Sequence, residues 1–216
     1  MARGSTRERV FELADRLLLQ SRTGWLPAAY KEYEDAVSRF IVQSDKEAAI
    51  SLICEIDDMG RRGKTDRPLA LIPAFSAFLG KFGETAELYL ELFVNCVGTG
   101  GELLDRAPAF LKRAFVLDSN NNHVLWQLWV SYRHEWFPSN LRFSASDFEH
   151  ESQCMARILS SRPQDRLALR VREWLETSQR PYNRSVSVPI PVWKIDEQTR
   201  PLAARSMRQI LTDADP

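Results

Sequence analysis

An all-α fold of stacked antiparallel helical hairpins is what this chain predicts, and three observations carry the prediction. Apolar residues recur at three- and four-residue spacing through nearly all of residues 1–178, as expected of many helices that each bury one face. Capping residues, glycines and prolines cut that rhythm into short segments with short connections. Strand-type alternation is scarce before residue 179. No short hairpin can hide its own apolar stripe, so each segment has to bury against its neighbours.

Each element has its own signal. Ser5 with Glu8 reads as a capping box, followed by Val10, Leu13, Ala14, Leu17 and Leu18 on one face. Gly24 breaks that helix, and Pro27 suits the first turn of the next, which carries Tyr30, Tyr33, Val37, Phe40 and Ile41. Ser44 with Glu47 reads as a second capping box, ahead of Ala49, Leu52, Ile53 and Ile56. A turn over 60–67 leads to Leu71, Phe75, Phe78, Leu79 and Phe82. After Gly83 come Ala86, Tyr89, Leu90, Phe93, Cys96 and Val97, ended by Gly98, Gly100 and Gly101. Leu103, Leu104, Ala107, Leu111, Ala114 and Phe115 follow. The polar run 118–122 has asparagines suited to capping. Beyond it Leu125, Leu128, Trp129, Tyr132 and Trp136 form a stripe stopped by Pro138. Ser146 with Glu149 opens a helix bearing Phe148, Met155, Ile158 and Leu159. Pro163 starts the next, with Leu167, Ala168, Val171, Trp174 and Leu175.

From residue 179 the character changes. Val186, Val188, Ile190 and Val192 alternate, but Pro189 and Pro191 remove ladder donors, so the strip reads as extended or polyproline-like. Thr199 then caps a short helix with Pro201 at its start and Ala203, Met207, Ile210 and Leu211 on one face. The expected organisation is a helical domain over 1–178 and an arm over 179–216 that packs on it, since Trp193 and the valines would otherwise form an exposed apolar patch.

Composition narrows the function. Lys plus Arg number 29, as do Asp plus Glu, so the formal net charge is zero and no excess of cations awaits nucleic-acid phosphates. The densest basic run, Arg61, Arg62, Lys64 and Arg67, reads as a solvated loop. No apolar stretch approaches the ~18 residues a membrane span needs, and residues 1–9 are unlike a secretory signal. Cys54, Cys96 and Cys154 are odd in number and sit inside helical patterns, which fits reduced core thiols. A soluble, cytoplasmic protein is expected.

Two stretches suggest chemistry. Gly63-Lys64-Thr65 could end a phosphate loop, but the first glycine of that motif would fall on residue 58, which is Asp58. A carboxylate there repels phosphate, Asp57 adds another, and Ala49, Leu52, Ile53 and Ile56 upstream follow helical rather than strand spacing. The run 58–65 therefore reads as a turn, with nucleotide binding the enzymatic alternative. His150-Glu151 with Cys154 places two potential zinc ligands on one helix face. A third ligand would have to be His123 or His134, and no spacing points to either, so a metal-dependent hydrolase is the second alternative. No Gly-x-Ser-x-Gly turn is present, and no cofactor or metal is expected.

Residues 107–132 resemble a tetratricopeptide-repeat junction. Ala107, Leu111 and Ala114 lead into Leu117-Asp118-Ser119-Asn120, and Leu128 and Tyr132 stand where that family has Leu and Tyr. Trp129 replaces a small glycine and Ser119 replaces a proline. A second partial match at 158–163 comes too late for a regular period, and 137–146 looks like the insertion responsible. HEAT-like solenoids share the same general pattern. The resemblance implies a superhelix with a concave surface lined by the first helix of each hairpin.

Around the helix after residue 122, Trp126, Val130, Arg133 and Phe137 make a second stripe about 100° from the first, continuing toward His123 and His134. Such a helix is either buried on most sides or presents one stripe to a ligand. The second case gives the expected site: a groove that takes a partner peptide or helix, with Trp126 and Phe137 as apolar anchors and Arg133 pairing with an acid. Adaptor, chaperone and immunity-type inhibitor all suit that frame, with a protein rather than nucleic acid or membrane as partner.

Overall fold

The structure, a computed structural model, describes residues 6–21, 27–99, 101–133, 147–177 and 206–214. The described residues are mostly helical and contain no strand. The helices are α1 (Thr6–Ser21), α2 (Pro27–Gln43), α3 (Lys46–Arg61), α4 (Arg67–Phe82), α5 (Ala86–Thr99) and the short α6 (Gly101–Leu104). They continue with α7 (Ala107–Leu117), α8 (Asn122–Arg133), α9 (Asp147–Ser161), α10 (Arg166–Thr177) and α11 (Met207–Thr212).

The caps differ in detail from the sequence reading. Asp45, one residue after the expected Ser44, opens α3 by accepting the Ala48 N–H at 2.8 Å. Ser44 instead closes α2, its hydroxyl donating to Phe40 O at 2.8 Å. A carboxylate is the better partner for the positive end of a helix, and that decides between adjacent candidates. Asp165 likewise opens α10 by accepting the Leu167 and Ala168 N–H groups, while Pro163 lies in the preceding turn. Asn121 caps α8 through the N–H groups of His123 and Val124. Ser206 and Gln209 form a reciprocal capping box at α11. Ser5, Ser146, Thr199 and Pro201 lie outside the described residues.

Helix α4 organises the first half. Leu69 through Phe75 are buried without a break, so α4 hides all its sides there rather than one stripe. Every pair among α1–α4 touches, as in a bundle around α4. Tyr33 donates its hydroxyl to Ala70 O at 2.8 Å, and Thr65 donates to Ala14 O at 2.8 Å, fixing α2 and α1 to this centre. From α5 onward contacts pass mainly between neighbours: α5 with α7, α7 with α8, α8 with α9, and α9 with α10. The last helix returns to the first half. Met207, Ile210 and Leu211 of α11 are buried, and α11 packs on α3 and α5. Lys46 donates to the Thr212 carbonyl at 3.0 Å, and Arg208 pairs with Glu47. Helix α11 is thus docked on α3 and α5; residues 178–205 lie outside the described residues.

Candidate functional site

The turn over 60–67 is built by the helices on either side of it. Gly63 adopts φ 68°, a left-handed value natural to glycine. The Arg62, Gly63 and Lys64 amides donate to the carbonyls of Asp58, Gly60 and Met59 at 3.1, 3.0 and 2.9 Å. That is how a helix satisfies its last carbonyls. A phosphate cradle needs those same N–H groups pointing at a ligand, and here they are spent on α3. Asp57 is only 4 % exposed and receives Arg61 Nε at 2.8 Å and Arg67 Nε at 2.5 Å, clamping α3 to the start of α4.

The second chemical candidate divides across α9. His150 and Cys154 face an open groove, whereas Glu151 is buried and accepts from Trp129 Nε1 at 3.2 Å. Successive helix positions point about 100° apart, so Glu151 cannot join its neighbours. Burial pushes the Cys154 thiol up to about 12 and the Cys96 thiol up to about 11, leaving both protonated at neutral pH. Among the described residues no group of three or more His, Cys, Asp and Glu side chains converges as a metal ion would need.

Helix α8 is buried on most sides. Val124, Leu125, Trp126, Gln127, Leu128, Trp129 and Ser131 all lie inside. Trp126, expected as an anchor for a partner, is 1 % exposed and packs edge-on against Trp129 with ring centroids 5.7 Å apart. It serves the core, and the anchor assignment has to move elsewhere. The physical reason is that α5, α7 and α9 all pack on α8, and the Trp126 face is enclosed among them. His123 and Val130 are partly buried. Arg133 ends α8, its side chain outside the described set, and His134 and Phe137 lie outside the described residues altogether. Of the six expected site residues, His123, Trp126 and Val130 have described side chains.

Trp126 and Trp129 differ in a way that can be measured. Trp129 Nε1 supplies a buried carboxylate, whereas the buried Trp126 Nε1 has no hydrogen-bond partner among the described residues. Removing a donor from a buried acceptor costs about 1–3 kcal/mol, more when the acceptor is charged, whereas removing an unsatisfied donor relieves part of the volume loss. Trp129→Phe should lower stability by roughly 2–3 kcal/mol and Trp126→Phe by about 1 kcal/mol or less, read from urea midpoints at a common slope. Equal losses would show that ring volume, not hydrogen bonding, sets both.

The groove itself lies between α7 and α9, both packed on α8, and encloses about 650 Å3. Pro108, Ala109, Leu111, Lys112 and Phe115 form the α7 wall. Leu125, Leu128 and Ser131 of α8 form the floor. His150, Gln153, Cys154 and Arg157 form the α9 wall. Each set follows the three-and-four spacing of one helix face. Arg157 ties the two walls at one end, its guanidinium carbon 5.4 Å from the Phe115 ring centre and its Nη1 donating to Ser119 O at 3.1 Å. Ser161 Oγ donates to Asn122 Oδ1 at 3.0 Å, fixing α9 against the start of α8.

The sequence reading missed these walls. It weighed His150 and Cys154 only as metal ligands, and assigned Leu111 and Phe115 to a core stripe. The available signal was the polar run His150, Gln153 and Arg157 at helical spacing beside the buried Met155 and Ile158. Comparison of the chain with protein families, curated proteins and solved structures gives no match. Among the described residues no helix is long and apolar enough to cross a membrane.

Proposed function

We propose that this chain is a non-enzymatic binding module, cytoplasmic and of adaptor, chaperone or immunity type, that holds a segment of a partner protein in the groove between α7 and α9. Stacked antiparallel hairpins of tetratricopeptide-like or HEAT-like kind are part of the same reading, centred on α7 to α10. The observation that carries it is the groove: about 650 Å3, open, floored by Leu125 and Leu128 and walled by Leu111 and Phe115. A space of that size takes a few large apolar side chains, and specific pockets of roughly 300–1,000 Å3 are typically apolar with a few placed polar groups. Val116 of α7, outside the groove lining, is 63 % exposed, three and four residues from Arg113 and Lys112.

The test is a plugged groove. Ala109 is exposed at the rim, so Ala109→Trp should fold normally while filling the cavity. With the full chain as bait in native lysate, one or more proteins retained by the wild type should be lost from the Ala109→Trp bait in quantitative mass spectrometry. If both baits retain the same proteins in the same yield, the groove is not the binding site and the reading fails.

A further inference from the structure

We infer that the groove's occupant is an amphipathic helix of a partner protein with acidic residues along its flanks, an inference that rests on the groove being a protein-binding site. Length comes first. The α7 wall runs from Pro108 to Phe115 and the α9 wall from His150 to Arg157, a difference of seven positions on each. At 1.5 Å per residue that is about 10.5 Å, or two helical turns. A helix presenting apolar side chains at i, i+3 or i+4, and i+7 spans the same length and places all of them on one face. An extended segment would fit only about three residues into that distance and turn every second side chain away.

Charge sets the rest. Lys112 and Arg157 line the groove, and none of the described lining residues is acidic. Glu151, next to His150 on α9, points into the core against Trp129 rather than toward the rim. Lys112 is exposed on one wall and Arg157 on the other, so cations flank the apolar floor on both sides. An occupant with a Leu- or Phe-type anchor face and Asp or Glu on its flanks satisfies floor and rim together. A basic helix with the same anchors would meet like charges beside a low-dielectric surface.

The experiment uses the full chain and two labelled synthetic helical peptides of about 16 residues, long enough to hold some helix alone, with identical leucine anchors. One carries Glu on its flanks and the other Lys. Fluorescence anisotropy should give at least about tenfold tighter binding of the acidic peptide at physiological salt, with the difference shrinking at high salt. Lys112→Glu, a surface change, should weaken the acidic peptide by roughly threefold or more and strengthen the basic one. Ala109→Trp should abolish binding of both. Equal affinity for the two peptides, or indifference to Lys112→Glu, overturns the acidic occupant; if Ala109→Trp still abolishes binding in that case, the groove reading survives alone. Acidic-peptide binding that persists in Ala109→Trp places the contact elsewhere and overturns both. A dimer seen by sedimentation and lost in Ala109→Trp would make a second copy of this chain the occupant instead.

Discussion

Replacing Gly60 by alanine should destabilise the protein by roughly 2 kcal/mol or more, although Gly60 is a helical residue and the same change in an ordinary helix gains about 1 kcal/mol. The sign reverses because of what lies beside it. A methyl group at position 60 would fall 2.8 Å from the Arg67 Cα and still closer to its Cβ. Those atoms belong to the first residue of α4, so a rotamer change cannot clear them. Either α3 and α4 separate at their junction or the turn between them is rebuilt. Both routes disturb Thr65, whose hydroxyl reaches the α1 backbone, and Arg67, which holds Asp57. Gly80 and Gly98 are the internal controls. Both are helical with nothing within 4 Å of an added methyl group, so alanine there should be neutral or stabilising. For a chain of this size, a loss of 2 kcal/mol lowers the melting temperature by about 4–8 °C. A Gly60→Ala melting temperature equal to that of Gly80→Ala would show that α3 and α4 do not approach this closely.

Periodicity reveals the buried face of one helix at a time, and the agreement between sequence and structure follows that limit. The stripes Val10–Leu17, Ala49–Ile56 and Met207–Leu211 are buried where spacing predicted, because each belongs to a helix with one covered face. Helix α4 departed from the pattern for a legible reason: residues 69–75 are an uninterrupted apolar run, which fits burial on all sides better than a stripe. The turn at 58–65 was also readable, since Asp58 is wrong for a phosphate loop and Ala49 to Ile56 is a helical face. What could not be read was which apolar surface stays open. Trp126 and Leu125 are adjacent on α8 and both buried in relative area, yet Leu125 borders the groove and Trp126 does not. That difference is made by where α7 and α9 sit on α8, a property of three helices that no single helical wheel contains. For the same reason Lys112 and Arg157, 45 positions apart in sequence, gave no joint signal before the fold placed them on opposite walls.

Asp57→Ala should be the other large loss, about 3 kcal/mol, and its pattern across related variants distinguishes a clamp from a surface ion pair. The Asp57 carboxylate is nearly buried and receives one guanidinium on each oxygen: Arg61 on Oδ2 and Arg67 on Oδ1. Exposed pairs contribute about 0–1 kcal/mol because water competes for both partners, but a carboxylate sealed inside can be satisfied only by the groups aimed at it. Its two partners are not equivalent. The Arg61 side chain is 55 % exposed and sits one turn along the same helix, so Arg61→Ala should cost well under 1 kcal/mol. Arg67 is 27 % exposed and belongs to α4, so its bond ties two helices together, and Arg67→Ala should cost roughly 2 kcal/mol. Asp57→Asn keeps the shape and one acceptor oxygen while losing the charge, and should fall between Arg61→Ala and Asp57→Ala. The double variant Asp57→Ala with Arg67→Ala should cost less than the two single losses added, because the second removal no longer breaks a pair. Chemical unfolding of the five variants gives the ordering directly. Strict additivity, or an Asp57→Ala loss within 1 kcal/mol of wild type, would mean that packing of the α4 core around Phe75 holds α3 in place without the carboxylate.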